Sequence, residues 1–219
     1  MQGISFKSGN ELRVLCLGAH SDDIEIGCGG TILKLIERYR KIRFYWVVFS
    51  ADKERAKETL SSARSFLRGV TEKKIEVHNY RENYFPYIGS EIKDFFEKLE
   101  KTNNPDLIFT HFRNDLHQDH RLISELTWNT FRDHMILEYE IFKYDGDLGS
   151  PNFFVLLEKK TCQKKIRFLM ENFESQRGKR WFSEEAFSSL MKLRGIESNS
   201  ESGYAEAFFC RKIVLGLRL

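Results

Sequence analysis

The chain has 219 residues, 41% of them hydrophobic and 14% aromatic, with only 3 prolines, which suits one domain (residues 1–219) with a real core and argues against disorder. Its 35 Lys+Arg against 32 Asp+Glu leave a formal net charge of +3, too balanced to imply nucleic acid. No apolar run reaches a membrane span, the opening MQGISFKSGNELRV lacks the apolar centre of a secretory leader, and Cys16, Cys28, Cys162 and Cys210 are too scattered for a disulfide framework, so reduced thiols and a cytoplasmic location are expected.

In chain order, Arg13–Gly18 is a short apolar run that stops at a glycine and reads as a buried strand. Ile26–Arg40 carries Ile32, Leu35, Ile36 and Tyr39 at helical spacing, and Ile42–Ser50 is β-branched and aromatic, the next strand. Lys53–Leu67 is rich in helix formers and ends before Gly69, and Lys74–Tyr80 is a further strand. Ser90–Lys101 places Ile92, Phe95, Phe96 and Leu99 on one helix face. After a break at Asn103–Asp106 come a strand at Leu107–Thr110 and a helix from about Asp119 to Arg132.

This alternation predicts an α/β, Rossmann-like fold: a mostly parallel sheet with helices on both faces. Beyond Asp133 the pattern becomes richer in strands, at Ile136–Phe142, Phe153–Glu158 and Ala207–Leu215, with helices at Gln163–Phe173 and Glu184–Leu193. We read this part as the second half of the same domain. The basic cluster Arg177, Lys179 and Arg180 reads as a solvated face.

In such sheets ligands sit at the carboxyl ends of strands where the winding reverses, and two polar clusters fall at strand ends. The first is His20-Ser21-Asp22-Asp23. A histidine and two adjacent carboxylates in one turn repel each other unless a cation offsets them, and imidazole with carboxylate suits zinc. Spacing of three across a tight turn can bring His20 and Asp23 to one ion, leaving Asp22 free to reach an attacking water. The plainer alternative is that Asp22 or Asp23 caps the following helix. Gly27, Gly29 and Gly30 follow, but the run is not G-x-G-x-x-G, and carboxylates there would repel a pyrophosphate.

The second cluster runs from His111 to His120 and holds three of the 6 histidines, interleaved with aspartates. His117 and His120 are neighbours if a helix starts there, so one can bind a metal while the other faces substrate. With His20 and Asp23, His120 completes three protein ligands and leaves a position open, as catalytic zinc requires.

Together the two clusters resemble the paired motifs of the LmbE-like (PIG-L) zinc de-N-acetylases. His20-Ser21-Asp22-Asp23 and its glycines fit H-P-D-D-x-x-x-G-x-G-G, with serine in place of proline, and the His111–His120 stretch is similar to H-x-x-D-x-H-x-D-H at several positions. Weaker similarity extends through Arg55-x-x-Glu58, Pro151-Asn152-Phe153, Glu174-Ser175-Gln176 and Tyr204–Phe208.

The resemblance implies zinc (or another divalent metal such as Fe2+) on His20, Asp23 and His120. It further implies Asp22 as general base, a protonated His117 as oxyanion stabiliser, and Asp119 as the carboxylate orienting His117. Arg55 and Glu206 are expected to face the substrate, an N-acetylated amino-sugar conjugate that would release acetate. Alternatives are an amidase on a larger acyl conjugate, a non-haem iron oxygenase, and a metal-bound module that only binds sugar.

Overall fold

A computed structural model describes residues 11–214; the leader reading at the N-terminus and the end of the expected strand at Leu215 lie outside them. A seven-stranded sheet has the order β3-β2-β1-β4-β5-β7-β6. Its strands are β1 (Leu12–His20), β2 (Ile42–Ser50), β3 (Glu72–Val77), β4 (Leu107–His111), β5 (Met135–Tyr139), β6 (Phe153–Leu156) and β7 (Ala205–Phe209). The first five are parallel; β7 pairs antiparallel with β5, and β6 antiparallel with β7.

Alternation of side chains along the strands builds a core on each face. On β1, Val14 and Cys16 join one core with Ile24, Ile32, Phe66 and Leu169. Leu15, Leu17 and Ala19 join the other, with Ile92, Phe96 and Ile123. The helices α1 (Asp23–Arg38), α2 (Lys53–Phe66), α5 (Lys159–Asn172) and α6 (Glu184–Glu197) therefore cover the first face. Helices α3 (Gly89–Thr102) and α4 (Gln118–Thr130) cover the second. The four cysteines stand free, three of them buried.

The element boundaries differ from the sequence pattern in two places that matter. Strand β1 runs two residues beyond Gly18, so His20 is its last residue and not part of the turn. Helix α1 begins at Asp23, three residues ahead of the expected start at Ile26, with Gly27, Gly29 and Gly30 inside it. The chain winds outward from β1 through β2 to β3, then crosses back through α3 to β4 on the other flank of β1. The reversal point is thus between β1 and β4, whose last residues are His20 and His111.

Candidate metal centre

The turn after β1 is built around Asp22, whose φ of 86° is in the left-handed region, a conformation costing a non-glycine residue about 1–3 kcal/mol. Its carbonyl accepts the N–H of Ile26 (2.9 Å), so Asp22 occupies the cap position of α1, yet its carboxylate makes no cap hydrogen bond. The simple capping role is therefore not what places this aspartate. Its Oδ2 instead lies 3.2 Å from Nη2 of Arg55, within ion-pair distance, and the same Nη2 donates to the carbonyl of Ser21 (2.5 Å). Ser21, standing where proline was expected, is fully buried and its hydroxyl accepts from Thr59 Oγ1 (2.7 Å), so hydrogen bonding to α2 replaces the rigidity of a proline ring. Asp23 folds back to accept the backbone N–H of His20 on Oδ2 (2.6 Å).

On the other side of the reversal point, β4 ends at His111, whose Nε2 accepts the N–H of Ala19 (2.9 Å) and lies 3.2 Å from Asp23 Oδ2. The Tyr139 hydroxyl is also 3.2 Å from that nitrogen and donates to the carbonyl of Leu17 (2.7 Å). This stitches β1, β4 and β5 together at their carboxyl ends. His117 is the cap of α4, its Nδ1 accepting the N–H of Asp119 (3.2 Å). One turn into α4, His120 is buried.

Three atoms meet between the two strand ends. His20 Nδ1 is 3.2 Å from His120 Nε2, and Asp23 Oδ2 is 3.6 Å from each of them. A tetrahedral zinc with bonds of roughly 2.0–2.1 Å spaces its ligand atoms about 3.3 Å apart, so this near-equilateral triangle fits such an ion. Each histidine also has its other ring nitrogen on a carboxylate: His20 Nε2 on Asp119 Oδ2 (3.0 Å) and His120 Nδ1 on Asp115 Oδ2 (2.9 Å). That arrangement fixes both tautomers and turns the remaining lone pairs inward, the usual support of metal-binding imidazoles. His117 adds its nitrogen to His20 and His120 within 4.8 Å, and Asp23, His111 and His120 form a second group of the same compactness.

The electrostatics divide the acids by role. Burial pushes the Asp22 carboxyl up to about 7, against the opposing charge of Arg55. Burial works in the same direction on Asp23, but His120, His111 and His20 outweigh it and hold Asp23 ionised well below the usual range. Two neighbouring carboxyls driven apart in this way suit different tasks, a ligand and a base. Burial lowers His120 to about 3, helped by His111, which keeps its imidazole neutral. Burial and His20 likewise lower His117.

The site opens into a cleft of ≈ 600 Å³, lined by His20, Ser50, Asp52, Arg55, His78 and Tyr80 among others. Its size suits a small ligand. Of the residues singled out from sequence, His20 and Arg55 line this cleft, and Asp22, Asp23, His117, Asp119 and His120 cluster around them. Arg55 makes its contacts toward the site and not with Glu58, which instead accepts from Ser175 on the far side of α2.

Three expectations need correcting. The Asp119 carboxylate is turned to His20 and to the N–H groups of Asn83 and Phe85 (2.6 and 3.1 Å), so it orients His20 and not His117. His117, its pKa lowered by burial and His20 and its Nδ1 accepting a backbone N–H, favours the neutral imidazole over the expected imidazolium in the free protein. Glu206 does not face the cleft. It is buried on β7, pairs with Lys165 Nζ (2.6 Å), and accepts the N–H groups of Gly30 and Thr31 in the middle of α1 (2.8 and 2.6 Å). The expectation took a buried strand carboxylate for a site residue, whereas a lysine on α5 neutralises it.

Sequence reasoning passed over Asp115 and His111 as separate actors. Asp115 precedes His120 by five residues inside a cluster already rich in His and Asp, which was the available signal.

A family model described as PIG-L, GlcNAc-PI de-N-acetylase, matches residues 15–131, a stretch that contains both clusters. Among solved structures, N,N'-diacetylchitobiose deacetylase from Pyrococcus horikoshii superposes with a TM-score of 0.65 at 23% identity, covering 90% of this chain and 83% of that one. A conserved protein from Thermus thermophilus gives a TM-score of 0.74 at 17% identity, covering 94% of this chain and 97% of that one. The 4-carboxy-2-hydroxymuconate hydratase GalB from Pseudomonas putida gives 0.68 at 14% identity, covering 95% and 99%. At these identities the likeness is one of fold, and the fold carries both a deacetylase and a hydratase.

Proposed function

We propose, from the premise that this chain belongs to the PIG-L family, that it is a metal-dependent de-N-acetylase acting on an N-acetylated amino-sugar conjugate. The observation that carries the reading is the triangle of His20 Nδ1, Asp23 Oδ2 and His120 Nε2, with both imidazoles held from behind by carboxylates. These three residues would hold a zinc ion or another divalent metal, which when bound supplies Lewis acidity to water and to the amide carbonyl.

The protein's own groups supply the rest. Asp22, with a carboxyl near 7, accepts a proton from the water that attacks the acetamide carbon. The developing oxyanion receives a hydrogen bond from Nε2–H of the neutral His117; one such donor is worth about 3 kcal/mol. Asp22 then returns the proton to the amine nitrogen as the C–N bond breaks, giving acetate and a free amino sugar. Arg55, at the wall of the cleft, orients the sugar and steadies Asp22.

Assay of acetate and free amine from N-acetylglucosamine conjugates, with zinc added to chelator-treated protein, tests the reading. Equal molar release of both, dependent on added metal, is the expected result. Amine release from long-chain acylamides with none from acetamides would favour the broader amidase, and release from neither would overturn hydrolysis.

No helix among the described residues is long and apolar enough to cross a membrane.

A further inference from the structure

Behind His120 the polar chain does not stop at Asp115. Asp115 is buried, and its Oδ1 lies 3.0 Å from Nζ of Lys143, a residue of the segment between β5 and β6, outside the stretch matched by the family model. Lys143 is itself largely buried and pairs with Asp147 Oδ2 at 2.6 Å, with the carboxylate of Asp145 3.6 Å away. Asp147 Oδ2 in turn accepts the N–H of Leu116 (2.7 Å), the residue following Asp115. Lys143 and Asp147 therefore brace the Asp115 loop twice, once through its side chain and once through its backbone.

We infer that Lys143 is a positioning residue for the metal centre: it holds the Asp115 carboxylate in the orientation that fixes His120 with Nε2 facing Asp23 and His20. This rests on the reading of His20, Asp23 and His120 as the ligand set. The physical reason lies in the number of holds on one carboxylate. Asp115 must keep Oδ2 on His120 Nδ1 (2.9 Å) while Oδ1 accepts the N–H of His117 (2.7 Å). Both oxygens are thereby committed, and a buried carboxylate bearing full charge needs a cation in contact to stay there. Within the described residues, the cationic side chain in ion-pair contact with Asp115 is Lys143, since His120 is neutral. Without it the carboxylate is free to rotate toward water, and His120 loses the acceptor that sets its tautomer. Residues supporting a ligand in this way usually change metal affinity by about 10- to 100-fold when altered.

The test compares zinc affinity of the wild type, Lys143→Met and Lys143→Arg, measured by competition with a chelator of known affinity. Thermal unfolding of the metal-free proteins is followed in parallel. Expected are affinity weakened by at least about 10-fold in Lys143→Met, recovery of most of that loss in Lys143→Arg, and similar unfolding of all three metal-free forms. If Lys143→Met fails to fold, Asp147→Asn, which keeps the lysine but loosens its outer anchor, is expected to show a smaller weakening in the same sense. Affinity equal to wild type in Lys143→Met, or in Asp147→Asn where that variant stands in, overturns the inference. So does an equal loss in the Met and Arg variants, which would assign the effect to packing and not to charge. A wild-type protein that takes up no zinc overturns the ligand set itself, an outcome distinguishable from the others.

Discussion

His20 Nε2 lies 3.0 Å from Asp119 Oδ2, although the two residues are 99 positions apart and belong to different elements, the end of β1 and the first turn of α4. The contact ties the two motifs to each other through side chains, since Asp119 is immobilised by the N–H groups of Asn83 and Phe85 and then immobilises His20. The orientation of the His20 ring is thus set by the protein itself.

From this follows the behaviour of metal content. His120→Ala removes a corner of the triangle, and elemental analysis of the purified protein is expected to show loss of most bound metal. Asp119→Asn keeps the shape but weakens the hold on His20, and is expected to lower zinc affinity by about 10- to 100-fold. Metal content in His120→Ala equal to that of wild type would remove His120 from the ligand set.

Asp22 is expected to matter for turnover and not for metal retention. Its carboxylate faces Arg55 and contributes no edge to the ligand triangle. Asp22→Asn should reduce kcat by roughly two to four orders of magnitude, the range for a general base, with full metal content. Metal lost along with activity would make Asp22 a ligand.

The glycines inside α1 make a stability prediction. A Cβ on Gly27 would stand 2.2 Å from the ring of Tyr139, and one on Gly29 2.7 Å from Phe66. Gly27 is thus the space into which Tyr139 packs while its hydroxyl reaches Leu17 and His111. Gly27→Ala is expected to destabilise by about 1–3 kcal/mol or more, since the clash is with a ring fixed in the core. Equilibrium unfolding in urea measures it, and a wild-type midpoint would show that the helix can shift away at no cost.

Glu206 and Lys165 form a buried pair, both nearly inaccessible. Glu206→Ala strands the ammonium of Lys165 and is expected to cost about 3–5 kcal/mol, whereas Lys165→Met combined with Glu206→Leu should recover only part of the loss, because Gly30 and Thr31 lose their acceptor. Acetate release per folded molecule should stay near wild type if Glu206 stands apart from the chemistry. A raised KM in stable Glu206 variants would reinstate it as a substrate contact.

How much of this could be read from the chain depends on how dense the chemistry is locally. His20, Asp22 and Asp23 stand together, as do Asp115, His117, Asp119 and His120, and such charge is too costly to bury without purpose. Strands β1, β2 and β4 were legible for a similar reason, since short apolar runs rich in β-branched and aromatic residues leave few alternatives. Partners distant in sequence were not legible. Glu206 reads the same whether it meets substrate or Lys165, and only the packing of β7 against α1 decides it. Asp119 could serve either neighbouring His117 or distant His20, and the turn geometry of α4 chose the latter. Gly27, Gly29 and Gly30 each cost the helix about 1 kcal/mol, and the close approach of Tyr139, Phe66 and Glu206 that accounts for them left no mark in the sequence. Lys143 left no signal, being a single lysine in an irregular segment.

At Arg55 two roles meet in one guanidinium. Its Nη2 is shared between the carbonyl of Ser21 and the carboxylate of Asp22, while its Nε is buried without a hydrogen-bond partner in the protein. A buried donor left unpaired costs about 1–3 kcal/mol, so a ligand hydroxyl, phosphate or carboxylate that satisfies it gains correspondingly. The side chain lines the cleft, where a bound sugar would sit. If substrate binding is the main role, Arg55→Ala raises KM by about 10- to 100-fold, the range for a hydrogen bond to a charged group. A brace for Asp22 alone would instead lower kcat with KM unchanged. Both contacts are made by the same group, so the expected result is a large rise in KM with a smaller fall in kcat. Arg55→Lys separates them further, because an ammonium keeps the charge beside Asp22 but cannot offer the two-point fork. It should restore kcat more fully than KM. Steady-state kinetics of the three proteins on one acetylated conjugate, at equal metal content, makes the comparison. Kinetics unchanged in Arg55→Ala would reduce the residue to a support of the turn and move substrate recognition to other residues lining the cleft, such as His78 and Tyr80.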